Sequence, residues 1–328
     1  MLERIWYGQS GWRWWLAPFA LLFGLISGLR RLAYRRGWLQ AYRASLPVAV
    51  VGNLSVGGNG KTPVVVWLVE QLQARGWRPG VVSRGYGGKA PGYPYRLDEA
   101  STTAEAGDEP VLIFNRCRCP VVVAPVRSEA VRLLEASGEV DIIITDDGLQ
   151  HYALARDIEL VVVDGVRRFG NRCLLPMGPL REPLSRLAGV DAVLCNGGEP
   201  GPGEYAMTLV AAAPRRVLDD AIAEAPIGPE VDALAGIGHP PRFFATLREL
   251  GYRLRQAQGY ADHHPFDRDE LIARFADRPL LMTEKDAVKC RAFAQPDWWY
   301  LPVSAELPQA LLDTLLQSLK ESRFGTGH

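Results

Sequence analysis

The chain has 328 residues, 48% of them apolar and 23% charged, and five cysteines. That is average globular usage with length for about two domains, and it excludes disordered, collagen-like and disulfide-stapled chains. The 37 basic and 37 acidic side chains cancel, so no nucleic-acid partner is expected.

The balance hides a polarised N-terminus. Arg4, Arg13, Arg30, Arg31, Arg35, Arg36 and Arg43 face a single early acid, Glu3, so the remainder carries a compensating acidic excess. Trp14 to Leu29 is free of charge but includes Pro18, Gly24 and Gly28, and it is short of the roughly 20 apolar residues that span a bilayer. Arginines follow where a signal-peptide cleavage site would need small residues. Leu22, Leu25, Leu29 and Leu32 recur at helical spacing beside Trp6, Trp12, Trp14 and Trp15. Residues 1–45 therefore read as a helical segment lying in, or dipping into, the cytoplasmic face of a membrane, peripheral or monotopic. The competing readings are an amphipathic helix packed on its own domain, with the tryptophans as core, and a true single span shortened by tilt and snorkelling. Cys117, Cys119, Cys173, Cys195 and Cys290 lack zinc-ligand spacing and read as reduced cytosolic thiols.

After Pro47, short β-branched runs alternate with helical stretches: 48–51, 81–82, 121–124, 140–145, 158–164 and 190–195. Continuous apolar strands separated by helices predict an α/β fold with a parallel sheet covered on both faces. A second α/β pattern starts at Val231 and includes 280–283 and 299–303. Residues 46–225 are expected to form a nucleotide-binding core and 226–328 a smaller C-terminal α/β domain, with the boundary near 225.

The strand at 48–51 runs into a glycine-rich loop and then a helical stretch from Val64. Ser55, Val56, Gly57, Gly58, Asn59, Gly60, Lys61 and Thr62 meet the Walker pattern except that Ser55 stands at its first glycine. In this geometry backbone N–H groups and a helix N-terminus cradle polyphosphate. Lys61 would reach the β- and γ-phosphates and the Thr62 hydroxyl would bind Mg²⁺. Asp146 and Asp147, at the end of the run from Val140, supply the acid that holds such an ion, and either fits the metal position. The implied cofactors are ATP and Mg²⁺, in a P-loop NTPase-like core.

The phrases GNLSVGGNGKTP from Gly52, SRGYGGK from Ser83, GDEP from Gly107, APVRSEA from Ala124, TDDGLQH from Thr145, GPLREP from Gly178, AGIGHPPRFF from Ala235, DHHPF from Asp262 and TEKDAVKC from Thr283 occur in this order. Together they resemble one family, the tetraacyldisaccharide 4'-kinases of lipid A biosynthesis. The resemblance implies a lipid kinase that transfers the ATP γ-phosphoryl group to the 4'-hydroxyl of a tetraacylated glucosamine disaccharide 1-phosphate. It also implies work at the cytoplasmic surface of a bacterial inner membrane, and no obligate protein partner is evident. By this resemblance Asp108 is paired with His263 as the general-base arrangement, and Glu182 belongs to the Mg²⁺ site. Arg181 would neutralise phosphate charge. Arg84 and Tyr86, with Lys89 beside them, would line the acceptor pocket, Arg127 would meet the phosphate already on the disaccharide, and Gln150 and His151 would shape the site. Thr283 reads as a helix cap near the nucleotide.

The alternative from another class is a membrane-associated P-loop ATPase acting as a nucleotide-dependent switch. Such proteins often carry an extra lysine at the start of the loop, where Ser55 or Val56 stands here. A soluble small-molecule kinase leaves the Trp/Arg segment without a role.

Overall fold

The computed structural model describes residues 5–8, 11–223 and 227–324. Fourteen strands are found among them: β1 (Val48–Gly52), β2 (Pro79–Ser83), β3 (Tyr95–Arg96), β4 (Val121–Val123), β5 (Ile142–Asp146), β6 (Ile158–Asp164), β7 (Ala192–Asn196), β8 (Glu204–Ala211), β9 (Arg215–Arg216), β10 (Glu230–Ala235), β11 (Arg253–Gly259), β12 (Leu280–Thr283), β13 (Trp298–Leu301) and β14 (Val303–Glu306). They form two mixed sheets, one of nine strands in the order β14-β8-β7-β6-β1-β5-β2-β4-β3 and one of five in the order β11-β10-β12-β13-β9.

The centre of the large sheet is parallel and buried on both faces. Along β1, Ala49 and Val51 join one core while Val48 and Val50 join the other, and β5 alternates in the same way at Ile142, Ile143 and Ile144. Side chains of successive strand residues point to opposite faces, so a run of unbroken apolar residues is what a sheet covered on both sides demands. The helix Lys61–Gln73 covers one face with Val64, Val65, Leu68 and Leu72, and the helix Arg127–Ser137 covers the other with Val131 and Leu134. Antiparallel strands close both edges, β3 on β4 and β14 on β8. The parallel sheet expected is thus present at the centre, with an antiparallel strand added at each edge.

The small sheet is parallel except for β9, which pairs antiparallel with β13. Its two faces pack separately, one on Leu271, Phe275 and Cys290 and the other on Phe243, Phe244 and Leu247. The boundary expected near 225 falls at 224–226, outside the described residues. Sheet membership does not follow that division. The expected single strand at 299–303 breaks at Pro302, which has no N–H to donate. Before it β13 belongs to the small sheet, and after it β14 returns to the large one. The helix Gln309–Phe324 then buries Leu311, Leu312, Leu315 and Leu319 in the large sheet's core.

At the N-terminus a 3₁₀ turn, Gly11–Leu16, leads into the helix Ala17–Arg35. Pro18 sits in the first turn, where its missing N–H costs nothing. Together they make 25 residues, the one helix among the described residues long and apolar enough to cross a membrane. This is longer than the uncharged stretch alone implied, because Arg13 and the trailing arginines lie within the same rod. Trp12, Trp14 and Trp15 are 67%, 63% and 77% exposed, so they are not core. Phe19, Leu21, Leu22, Leu25, Ile26 and Leu29 are exposed with them, an apolar surface of the kind that marks membrane association.

Candidate active site

One cavity of about 1450 Å³ runs from the N-terminal helix, past the C-terminal ends of the central strands, to the small sheet. Ligands of open α/β sheets bind outside the carboxyl ends of the strands, and the conspicuous sequence motifs converge there.

β1 delivers the chain into the glycine loop at Gly52, where an added Cβ would lie 2.6 Å from Leu149 Cβ. Close approach of these two segments sets the loop beside the paired aspartates. Gly60 caps the helix Lys61–Gln73 in the left-handed region, φ 92°. No side chain caps that helix, so its first-turn N–H groups are left for a ligand. Gly57 to Thr62 line the cavity, whereas Ser55 is buried and accepts from Asn59 Nδ2 at 2.9 Å, shaping the loop from within. Val56 hydrogen-bonds through its backbone N–H to Pro179 O.

The two aspartates have different surroundings. Asp147, at φ 48°, accepts from Arg181 Nη1 at 3.0 Å on both oxygens and lies 3.6 Å from Lys61 Nζ. Burial pushes its carboxyl up, but Lys61 and Arg181 outweigh burial and hold it below the usual carboxylate range. Asp146 is more deeply buried, and burial followed by the charge of Glu109 pushes it up to about 7. Its Oδ1 has no hydrogen-bond partner. An orphaned buried carboxylate oxygen beside Lys61 and Thr62 is the donor a hard cation would use. No group of three or more His, Cys, Asp or Glu stands together for a metal among the described residues. That donor set suits an ion held mainly by phosphate oxygens and water.

Glu182 lines the same cavity with Oε1 hydrogen-bonded and Oε2 without a hydrogen-bond partner. Tyr152 donates to its Oε1 at 2.7 Å and Arg186 Nε stands 3.4 Å from Oε2. Burial raises its pKa, partly offset by Tyr152 and Arg186. Arg127 is also buried, and its Nη2 donates to the carbonyls of Asp146 and Asp147 at 3.2 Å each. Its side chain therefore supports the strand end as well as facing the cavity. Gln150 Nε2 donates to Asn53 O at 3.0 Å, and Arg30 of the N-terminal helix donates to Gln150 O at 3.4 Å. His151 is pushed down to about 4 by burial and by Arg127 and Arg156, so it is neutral. Arg84 and Tyr86 line the cavity, whereas Lys89 is exposed and lies off it.

Asp108 and His263 meet across the two sheets, Nδ1 to Oδ2 at 3.0 Å. Gly107 makes the meeting possible: with φ 88° it starts the helix Asp108–Cys117 so close to Tyr86 that a Cβ would lie 2.6 Å from Tyr86 O. The Tyr86 ring then lies 4.9 Å from that of His263. Hydrogen bonding to Asp108 raises the His263 pKa, against burial and the charge of Lys285.

Some groups at the cavity had no role in the sequence reading. Asn196, at the end of β7, donates to Asn59 O at 3.0 Å and accepts from Arg242 Nη2 at 2.9 Å. Lys285 bridges Glu109 at 2.7 Å and Asp262 at 2.9 Å. Arg116 pairs with Glu284 at 2.9 Å and Ser304 at 2.5 Å. None has a local pattern. The only signal was that Lys285 and Glu284 lie in the TEKD phrase.

An open helix N-terminus beside unequal carboxylates, with a carboxylate–imidazole pair across the cavity, defines an α/β enzyme of the phosphotransferase class. The family model for "Tetraacyldisaccharide-1-P 4'-kinase" matches residues 12–320, and the chain belongs to that family. It is 77% identical over 330 residues to the tetraacyldisaccharide 4'-kinase of Aeromonas salmonicida, covering all of both chains. It is 59% identical over 327 residues to that of Tolumonas auensis, again over the full length of each. Among solved structures, LpxK of Aquifex aeolicus, described as an "apo" form in complex with ATP, is similar with a TM-score of 0.79 and 27% identity, over 94% of this chain and 99% of that one.

Proposed function

We propose that this protein transfers the γ-phosphoryl group of ATP to the 4'-hydroxyl of a tetraacylated glucosamine disaccharide 1-phosphate, a step of lipid A biosynthesis. The observation that carries this is full-length identity of 77% to a kinase of that name. The cavity chemistry agrees with it.

The loop from Gly57 to Thr62 acts as a phosphate-binding loop of the P-loop NTPase kind, with Lys61 and the open helix N-terminus neutralising the triphosphate. Thr62 and Asp146, with Asp147 and Glu182 nearby, would hold Mg²⁺, which when bound neutralises charge on the phosphate oxygens. Arg181 adds a guanidinium, and Arg127 keeps the strand end in place. A sugar hydroxyl is a poor nucleophile at neutral pH, so its proton must leave as the phosphoryl group arrives. Asp108 accepts that proton, with the His263 imidazole orienting and tuning its carboxylate. Arg84, Tyr86, Gln150 and His151 line the acceptor side.

The exposed apolar N-terminal helix supports a peripheral or monotopic position on the cytoplasmic face of the inner membrane, where a lipid acceptor would reside. The Phe23, Ile26 and Ser27 face of that helix opens into the cavity, so acceptor lipid enters without leaving the apolar phase. Functionally the chain divides into the membrane segment, a nucleotide-binding large sheet and a small sheet that closes over the nucleotide, with 303–324 returning to the large sheet.

The test is incubation with ATP, Mg²⁺ and detergent-solubilised tetraacyldisaccharide 1-phosphate, read by mass spectrometry. A product heavier by one phosphate is expected. No product under conditions where ATP binds would overturn the assignment.

A further inference from the structure

The helix Glu284–Cys290 packs against the helix Asp108–Cys117 and presents two lysines one turn apart, Lys285 and Lys289. Both are largely buried, their side chains 15% and 5% exposed. Lys285 Nζ lies 2.7 Å from Glu109 Oε1, 2.9 Å from Asp262 Oδ1 and 3.3 Å from His263 Nε2. Lys289 Nζ is 2.8 Å from Asp286 Oδ1, donates to His264 O at 3.2 Å, and stands 4.0 Å from Asp108 Oδ2.

An ammonium has hydrogens to give and no lone pair. Burial would strip Lys285 of its proton, but the carboxylates of Glu109 and Asp262 outweigh burial and push it above the ordinary lysine value. It stays charged, and an ammonium 3.3 Å from Nε2 is satisfied there only by a ring lone pair, so in the neutral imidazole Nε2 is the acceptor. That leaves the single proton of a neutral imidazole on Nδ1, pointing at Asp108 Oδ2. Lys289, on the far side, favours the same Asp108 oxygen as an anion.

We propose that Lys285 is a positioning residue of the phosphoryl-transfer site, fixing His263 as the neutral Nδ1–H tautomer that donates to Asp108. The proposal rests on the reading of Asp108 and His263 as the proton-accepting pair. Lys285 lines the cavity, but its bonds to two carboxylates hold it on the histidine instead of a phosphate.

The charges around His263 give the proposal its signature. Asp108 and Glu109, the latter at 3.8 Å, face it from one helix, and Asp262 at 3.9 Å from its own loop. Against these three carboxylates stand Lys285 directly and Lys289 behind Asp108, while the Tyr86 ring covers one face. With the Lys285 charge removed, the imidazole keeps its second proton to higher pH and the neutral form becomes scarcer.

The experiment is the pH dependence of kcat for the full chain with ATP and the tetraacyldisaccharide lipid. For Lys285→Met we expect kcat at neutral pH to fall at least about ten-fold, with the KM for ATP within about two-fold of wild type. The acid limb should move to higher pH, and Lys285→Arg should restore its position. Unchanged kcat and acid limb, or an equal loss at every pH, overturns the proposal. Should Lys285→Met not fold, the ¹⁵N resonances of His263 in the wild-type protein decide: protonated Nδ1 with bare Nε2 is expected, and the reverse overturns it. Asp108→Asn and His263→Gln are run in parallel. If they retain turnover, the pair reading itself fails; if they lose it while Lys285→Met behaves as wild type, only the positioning role fails.

Discussion

The Cα of Gly60 faces the side-chain amide of Asn196 so closely that any Cβ at residue 60 would overlap Asn196 Nδ2. These residues lie 136 positions apart, one ending the glycine-rich loop and one ending β7. The contact keeps Asn196 free to donate to Asn59 O at 3.0 Å, so the loop is shaped from its floor as well as by its own glycines. Gly60→Ala should combine a left-handed strain of about 1 kcal/mol with that overlap. We expect the KM for ATP to rise about ten-fold or more. An unchanged ATP titration would show that the loop tolerates the side chain.

Because His263 gains Asp108 as a partner, its folded-state pKa is raised above the unfolded value. Stability from the pair is then fully present below the unfolded pKa of about 6.5 and is lost as pH rises through the folded pKa. His263→Ala should lower Tm by about 1–3 °C near pH 6, with a smaller deficit near pH 9. Thermal melts across that range would contradict the pairing if the deficit grew with pH.

Arg116 bridges Glu284, which follows β12 of the small sheet, at 2.9 Å and Glu70 of the helix Lys61–Gln73 at 3.4 Å. A partly buried pair of this kind should show a coupling energy of about 1 kcal/mol in a cycle of Arg116→Met and Glu284→Gln. Additive losses in Tm would mean the two residues act independently.

The exposed row Leu22, Leu25 and Leu29 predicts that Leu25→Asp weakens binding to anionic vesicles by about ten-fold or more. The affinity for ATP should stay unchanged, since Leu25 is exposed and does not line the cavity. Flotation with the variant still on the vesicles would remove the helix from the membrane contact.

Asp146 Oδ1 and the Thr62 hydroxyl predict a dependence on a hard divalent ion. Turnover should vanish in EDTA and return with excess Mg²⁺, whereas Asp146→Asn should lose about a hundred-fold or more in kcat with Mg²⁺ present. Full activity in EDTA would be incompatible with that role.

The features legible in the chain alone are local or repetitive. Alternating burial along runs such as 48–51 and 142–144 follows from strand geometry alone, and Gly60-Lys61-Thr62 after a buried strand carries its meaning within a dozen residues. Family phrases named Asp108 and His263, but their separation of 155 positions meant that only folding could bring Nδ1 to 3.0 Å from Oδ2. The same holds for Asn196 under Asn59, for Lys285 between Glu109 and Asp262, and for the return of 303–306 to the large sheet. In each case the partner is chosen by packing between distant elements, which leaves no period or motif in the chain. Burial also separates Asp146 from Asp147: adjacent and chemically identical in sequence, one is desolvated with its Oδ1 lacking a hydrogen-bond partner while the other is held below the usual carboxylate range by Lys61 and Arg181.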